Sequence, residues 1–316
     1  MFFFAGEKAS WIGFMNKVEK NYTIDPSLLM KDEPMFKHTS WKVGGNVDLF
    51  FKPNKISILA RFLKDLDQDV EIYWVGLGSN LLVRDGGFKG VMICTLDLPR
   101  EFEELDNNRI KVSSGLPCAI FSKKCVRLKL SPTSFFAGIP GTLGGALAMN
   151  AGAFGKETWE YIESVETIDR KGEIRERTPQ EYEVNYRSVE SKQEEWFIGA
   201  TFNLTRNEKV NISQTKKMLN KRGKTQPIGL RSCGSVFRNP ENSFAAKLID
   251  EAGLKGLRIG DAEVSKKHAN FIINLGSAKA SDIEELIFRI KEKVKDKFGI
   301  ELELEVKIIG QHHINT

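Results

Sequence analysis

Between Gly138 and Gly155 the chain runs GIPGTLGGALAMNAGAFG, six glycines in eighteen residues, three of them spaced G-x-x-G-G. Glycine reaches φ > 0 and lets main-chain N–H groups come close to a ligand. Clustered backbone donors and helix N-termini bind anions without a charged side chain, so the chemistry suggested here is the holding of a phosphate-bearing cofactor. A tightly packed turn and helix of small residues is the alternative reading. A second glycine loop, Gly76-Leu77-Gly78-Ser79-Asn80, follows a short apolar segment. It does not fit the Rossmann fingerprint, which needs a glycine where Leu81 stands and a helix where Leu81-Leu82-Val83 continues as a strand. The chain contains no G-x-x-x-x-G-K-[ST], so the phosphate loop of nucleotide triphosphatases is excluded as well.

Other chemistry-bearing residues are sparse. Cys94, Cys118, Cys125 and Cys233 form no C-x-x-C pair, which predicts reduced thiols and a reducing, cytoplasmic compartment. None of the four histidines stands at ligand spacing to a cysteine, so no metal site is expected. A net charge of +5 over 316 residues tolerates an anionic small molecule but lacks the basic stripe of a nucleic-acid binder. The length allows two or three domains. Apolar runs such as Phe2-Phe3-Phe4 fall far short of the ~20 residues that span a bilayer, and the first residues show no cationic leader. Residues 1–20 read as an extension, with Met15 an alternative start.

The elements that must position the glycine loops follow from periodicity. Strands are expected at 47–52, closed by Pro53, and at 71–75, 81–83 and 90–95. Leu59, Phe62, Leu63 and Leu66 recur at helical spacing, so 55–66 is an amphipathic helix. Further on, 109–114 reads as a strand, and Cys118, Phe121, Cys125 and Leu128 mark one face of a helix. Strands at 162–169, 173–177 and 195–204 follow, with a hairpin turn at Lys171-Gly172. The helix 211–222 carries Lys216, Lys217, Lys221 and Arg222, a solvated charged face. In the last hundred residues Ser243 is placed to cap a helix holding Phe244, Leu248, Ile249 and Ala252. A strand is expected at 270–275. Ser281 with Glu284 forms a capping box for a helix that Gly299 stops. The closing segment 301–309 alternates Leu302, Leu304, Val306 and Ile308 with Glu301, Glu303, Glu305 and Lys307, a strand with one buried and one charged face.

The order of motifs resembles the UDP-N-acetylenolpyruvoylglucosamine reductases, the MurB family. The matching segments are Trp41-Lys42-Val43-Gly44-Gly45, Gly76 to Val83, Gly138 to Ala146 and Met149 to Ala153. After them come Gly234-Ser235-Val236-Phe237-Arg238-Asn239-Pro240, Val264 to Ile272 and Leu304 to Gly310. The likeness covers residues 38–310 in the family's order.

The resemblance implies an α+β protein: a two-part FAD-binding region of the PCMH/VAO type plus a C-terminal α+β substrate-binding domain. The expected divisions are an extension 1–20, FAD-binding parts 21–95 and 96–206, and a substrate-binding domain 207–316. Non-covalent FAD is then held by Trp41, Val43, Gly44, Gly76, Gly78, Ser79, Asn80 and Leu81, by Gly138, Ile139, Pro140, Gly141, Thr142, Gly144, Gly145 and Ala146, and by Asn150, Ala151 and Gly152. In the reaction implied, NADPH reduces the flavin and hydride passes to the β-carbon of UDP-N-acetylglucosamine enolpyruvate, giving UDP-N-acetylmuramate for peptidoglycan. Ser235 is the implied proton donor to the α-carbon, while Arg187 and Glu305 hold and polarise the carboxyl group. Lys224, Asn239, Lys266, Lys267 and His268 are the implied substrate-binding residues, in a monomer with small-molecule partners and neither nucleic acid nor membrane.

Some points stay open. Periodicity does not separate Glu305 from Glu301 or Glu303. The family pattern Tyr-Arg-x-Ser is here Tyr186-Arg187-Ser188, which leaves the register of Arg187 unfixed. The short interval between Arg187 and Ser235 resembles the family's second type, which lacks an inserted tyrosine-bearing loop. The competing readings are a flavin oxidase of a sugar or alcohol and a non-catalytic nucleotide-sugar binding protein.

Overall fold

Strands Leu29–Pro34, Asn46–Phe51, Phe88–Cys94 and Ile72–Val75 form a four-stranded sheet in that order in the computed structural model, which describes residues 25–313. The extension 1–20 and Met15 lie outside the described residues. Leu29–Pro34 runs antiparallel to its neighbour, whereas Asn46–Phe51 and Ile72–Val75 lie parallel on either side of Phe88–Cys94. That central strand is buried at six of its seven positions, as expected where both faces of a parallel sheet are covered. Helix Ile56–Asp65 makes the crossover and buries Leu59, Phe62 and Leu63. Phe62 stacks on Phe51 with ring centroids 4.1 Å apart, and each such buried side chain contributes about 1.5–3 kcal/mol.

A second, antiparallel sheet has the order Ile174–Arg177, Ile162–Asp169, Glu195–Asn203, Arg109–Ser113 and Phe102–Glu104. Helix Cys118–Arg127 lays Cys118, Phe121 and Cys125 on it, and Phe121 meets Phe136 edge-on at 5.0 Å and Phe202 at 4.7 Å. The hairpin of Tyr182–Asn185 and Ser188–Ser191 projects from this unit with Tyr186 and Arg187 at its tip.

The third unit packs helices Ala245–Glu251 and Ala280–Phe298 on a small sheet of Arg258–Ile259, Ala262–Val264 and Ile272–Asn274. Its core also takes in Trp41, Val43 and Leu82 from far earlier in the chain. Strand Lys307–Ile309 leaves this unit and pairs in parallel with Leu81–Val83. Among the described residues no helix is long and apolar enough to cross a membrane.

Three expected features are corrected. Ser243 does not cap the helix at 245; Asn239 Oδ1 accepts from Ala245 N at 3.1 Å instead, and Phe244 faces solvent. The long helix is capped by Asp282 and by Asp85, whose carboxylate accepts from Ala280 N and Ser281 N, while Glu284 pairs with Arg84 at 2.7 Å. Finally, 301–309 is a strand only from Lys307 to Ile309. Leu302 and Val306 are buried, but the stretch before Lys307 has only the isolated bridge from Leu304 to Phe237.

Candidate active site

A cleft of about 600 Å³ opens where the three units meet, and both glycine loops line it. The loops are held against each other: Ser79 Oγ donates to Pro140 O at 2.7 Å. A Cβ on Gly76 would meet Thr142 Oγ1 at 2.7 Å, and one on Gly78 would fall 2.0 Å from His38 O. Gly78 at φ +60 and Gly141 at φ +135 occupy backbone conformations that favour glycine. Thr142 caps the short helix Leu143–Ala148, accepting from Gly145 N. The backbone N–H groups of Gly78, Ser79, Asn80 and Gly141 have no protein acceptor among the described residues. Unspent amide donors on both glycine loops fit an anionic cofactor such as FAD.

Gly76, Gly78, Ser79, Asn80, Leu81, Gly138, Ile139, Pro140, Gly141, Thr142, Gly145, Ala146, Ala151 and Gly152 all line the cleft. Trp41, Val43, Gly44, Gly144 and Asn150 do not. Trp41 and Val43 are buried in the third unit's core, with Trp41 Nε1 donating to Ile272 O at 2.7 Å. Gly44 backs onto Val83, and Gly144 donates its N–H to Ser114 O at 2.8 Å behind the cleft wall. Asn150 is buried and spends its amide on Glu157, Asn185 O and Trp159 N.

Arg187, Ser235 and Glu305 line the same cleft. Arg187 sits at the hairpin tip with φ +57, and its guanidinium donates to Asn150 O at 3.2 Å and Gly152 O at 3.1 Å. It pairs with Glu157 at 3.3 Å and brings Nε to 3.4 Å from Glu305 Oε1. Glu305 is therefore not on a solvated face like Glu301 and Glu303. Val236 O accepts from its backbone N–H at 2.8 Å, and Asn80 Nδ2 donates to its carbonyl at 2.9 Å. Burial raises the Glu305 carboxyl above its ordinary value, and Arg187 and Arg238 offset this only in part. Ser235 follows Gly234, a turn residue at φ +74, and its hydroxyl has no hydrogen-bond partner among the described residues.

Of the expected substrate residues only Asn239 lines the cleft; Lys224, Lys266, Lys267 and His268 lie off it. Lys224 and Lys266 are exposed. Lys267 Nζ donates to Gly223 O at the end of helix Ile212–Thr225. His268 packs edge-on to Phe271 at 4.8 Å with Nδ1 buried and unpartnered, and burial first, then Lys255 and Arg222, lower its pKa.

Sequence reasoning missed several lining residues, notably Arg222, Phe154, Tyr186 and Asn270. Arg222 corrects the solvated reading of the lysine helix: it is the partly buried cation of that run and donates to Gly138 O of the glycine stretch. Burial lowers its pKa. No local signal marks it, because its neighbours Lys216, Lys217 and Lys221 are exposed.

Residues 226–309 match the family described as UDP-N-acetylenolpyruvoylglucosamine reductase, C-terminal domain, and residues 47–178 match an FAD binding domain. A UDP-N-acetylenolpyruvoylglucosamine reductase of Alkalilimnicola ehrlichii is 47% identical over 292 residues, spanning 91% of this chain and 97% of that protein. One from Legionella pneumophila strain Paris is 49% identical over 290 residues, spanning 91% and 96%. The crystal structure of UDP-N-acetylenolpyruvylglucosamine reductase from Thermus caldophilus superposes with a TM-score of 0.75 at 30% identity, covering 87% of this chain and 97% of that one.

Proposed function

Because the chain belongs to the UDP-N-acetylenolpyruvoylglucosamine reductase family, we propose an account, residue by residue, of how its cleft performs the family's reaction. The chain is an NADPH-dependent flavoprotein that reduces UDP-N-acetylglucosamine enolpyruvate to UDP-N-acetylmuramate, a step in peptidoglycan precursor synthesis. FAD, held by the part of the chain that matches an FAD binding domain, would when bound supply hydride transfer from NADPH to the β-carbon of the enolpyruvyl group.

The amides of Gly78, Ser79, Asn80 and Gly141 would hold the cofactor's pyrophosphate. Arg222 adds a cation beside the second loop. On the substrate side, Arg187 pairs with the enolpyruvyl carboxylate. Glu305, with its carboxyl pushed toward the protonated form, shares a proton with that carboxylate and opposes the negative charge that develops as the α-carbon becomes electron-rich. Donors fixed where charge develops supply about 3 kcal/mol each. Ser235 hands its hydroxyl proton to the α-carbon and regains one from solvent, since among the described residues no protein base hydrogen-bonds to it. Asn239, which lines the cleft, orients the nucleotide portion. In this reading 21–95 and 96–206 are the cofactor-holding parts, 207–316 is the substrate-holding part, and the chain works as a cytoplasmic monomer.

The supporting observation is the Arg187–Glu305 pair, with Nε 3.4 Å from Oε1, in one cleft with Ser235 and both glycine loops. The purified protein is expected to be yellow and to oxidise NADPH rapidly only with the enolpyruvyl nucleotide; a colourless protein, or oxidation indifferent to that nucleotide, overturns the reading. In stopped-flow, Ser235→Ala should leave flavin reduction by NADPH unchanged and slow reoxidation by substrate about 10²–10⁴-fold. Equal slowing of both half-reactions removes Ser235 from the proton-donor role.

A further inference from the structure

Arg238 does not line the cleft, yet it touches the segments that carry all three reacting side chains. It lies three residues beyond Ser235. Its backbone N–H donates to Glu303 O at 2.9 Å, two residues before Glu305. Its guanidinium reaches across to the hairpin, where Nη2 donates to the carbonyl oxygen of Arg187 at 3.1 Å. Its charge also acts on the Glu305 carboxyl, and its ion pair with Glu303, 3.8 Å away and 76% exposed, does little to hold the side chain in place. Nε is buried without a partner. A buried N–H left without an acceptor is costly, and the contact to Arg187 O is the close hydrogen bond of this partly exposed side chain.

Arg187 needs such a contact. A non-glycine residue at φ +57 persists only where its surroundings over-determine the backbone. The hairpin register fixes one side through Asn185 and Ser188. Arg238 fixes the carbonyl on the other, from a segment 51 residues later in the chain.

We infer that Arg238 is a positioning residue for the reduction: by gripping the Arg187 carbonyl it holds the hairpin tip in the left-handed conformation that aims the Arg187 guanidinium at the substrate carboxylate. It joins the arginine hairpin to the segment bearing Ser235, so the carboxylate anchor and the proton donor keep one distance. This inference rests on the role proposed above for Arg187.

The test uses the flavin-loaded full chain with Arg238→Met and Arg238→Lys, Glu303→Gln as control, and three measurements. Arg238→Met should leave flavin reduction by NADPH within about twofold, slow reoxidation by the enolpyruvyl nucleotide about 10–100-fold, as misplacement by an ångström does, and weaken that nucleotide's Kd about tenfold. Arg238→Lys, which keeps a charged donor, should recover part of each loss, and Glu303→Gln should match the unmodified protein. Independently of turnover, hydrogen exchange at the amides of residues 186–188 should accelerate in Arg238→Met. Reoxidation, Kd and exchange all unchanged would overturn the inference, as would equal slowing of both half-reactions or a lysine variant no better than methionine. Should Arg238→Met fail to fold, the lysine variant decides alone: slowed reoxidation with normal flavin reduction supports the role, and unchanged reoxidation refutes it. If the unmodified chain itself is not reoxidised by the enolpyruvyl nucleotide, the functional reading falls, while the exchange measurement still tests the grip on Arg187.

Discussion

Glu305 is removed from water with the Arg187 guanidinium 3.4 Å away, and burial outweighs that partner in setting its ionisation. The consequence for stability has a definite sign. A carboxyl whose pKa is higher folded than unfolded binds its proton more tightly in the folded chain, so its contribution is full below the unfolded pKa and declines as pH rises through the folded one. Glu305→Gln cannot lose a proton and escapes that decline. Calorimetry should therefore show the variant's Tm rising relative to the unmodified protein between pH 4 and pH 8, in parallel with a loss of turnover. A Tm difference that stays flat or shrinks over that range contradicts the argument. Sequence could not separate this glutamate from Glu301 and Glu303 by pattern, because what sets it apart is a contact with Arg187 more than a hundred positions away. Trp41 and Asn150 show the same gap: each stands beside a glycine motif, and each is withdrawn from the cleft by partners distant in the chain.

Elements with a clean apolar period were legible because their burial is dictated locally. The strand expected at 162–169 is Ile162–Asp169, and the helix expected at 55–66 is Ile56–Asp65. The 301–309 alternation misled, since Leu302 and Val306 are buried by an irregular segment that strand pairing joins only at Lys307. The glycine loops behave as elements too, and two of their residues should respond very differently to one methyl group. Gly78→Ala would drive a Cβ into His38 O, whereas Gly155, at φ +76, has open space around it. Gly155→Ala should therefore cost only the left-handed penalty, about 1–2 kcal/mol, and keep its flavin. Gly78→Ala should be destabilised by more than that and purify with markedly less flavin. Denaturant titration with flavin absorbance measures both; equal effects would mean that the loop near Gly78 yields to the clash.

Across the whole molecule, the third unit is not separable. Trp41, Val43 and Leu82 fill its core, Asp85 caps its long helix, Arg84 binds Glu284 and Gly310 O, and Asn274 donates to Trp41 O at 2.8 Å. Residues 207–316 expressed alone should give a poorly dispersed NMR spectrum and no cooperative unfolding, while the full chain unfolds with that unit in one transition. A well-folded fragment would refute this. The pairing of Lys307–Ile309 with Leu81–Val83 also has a meaning in time. Leu81 must wait for a partner synthesised 226 residues later, and such distant pairings form slowly. Asn80, at the cofactor loop, receives Lys307 N–H and binds the Glu305 carbonyl in the same closure. The loop that bears Asn80 and the segment that bears Glu305 are thus joined in a single late event, once the last residues of the chain are in place.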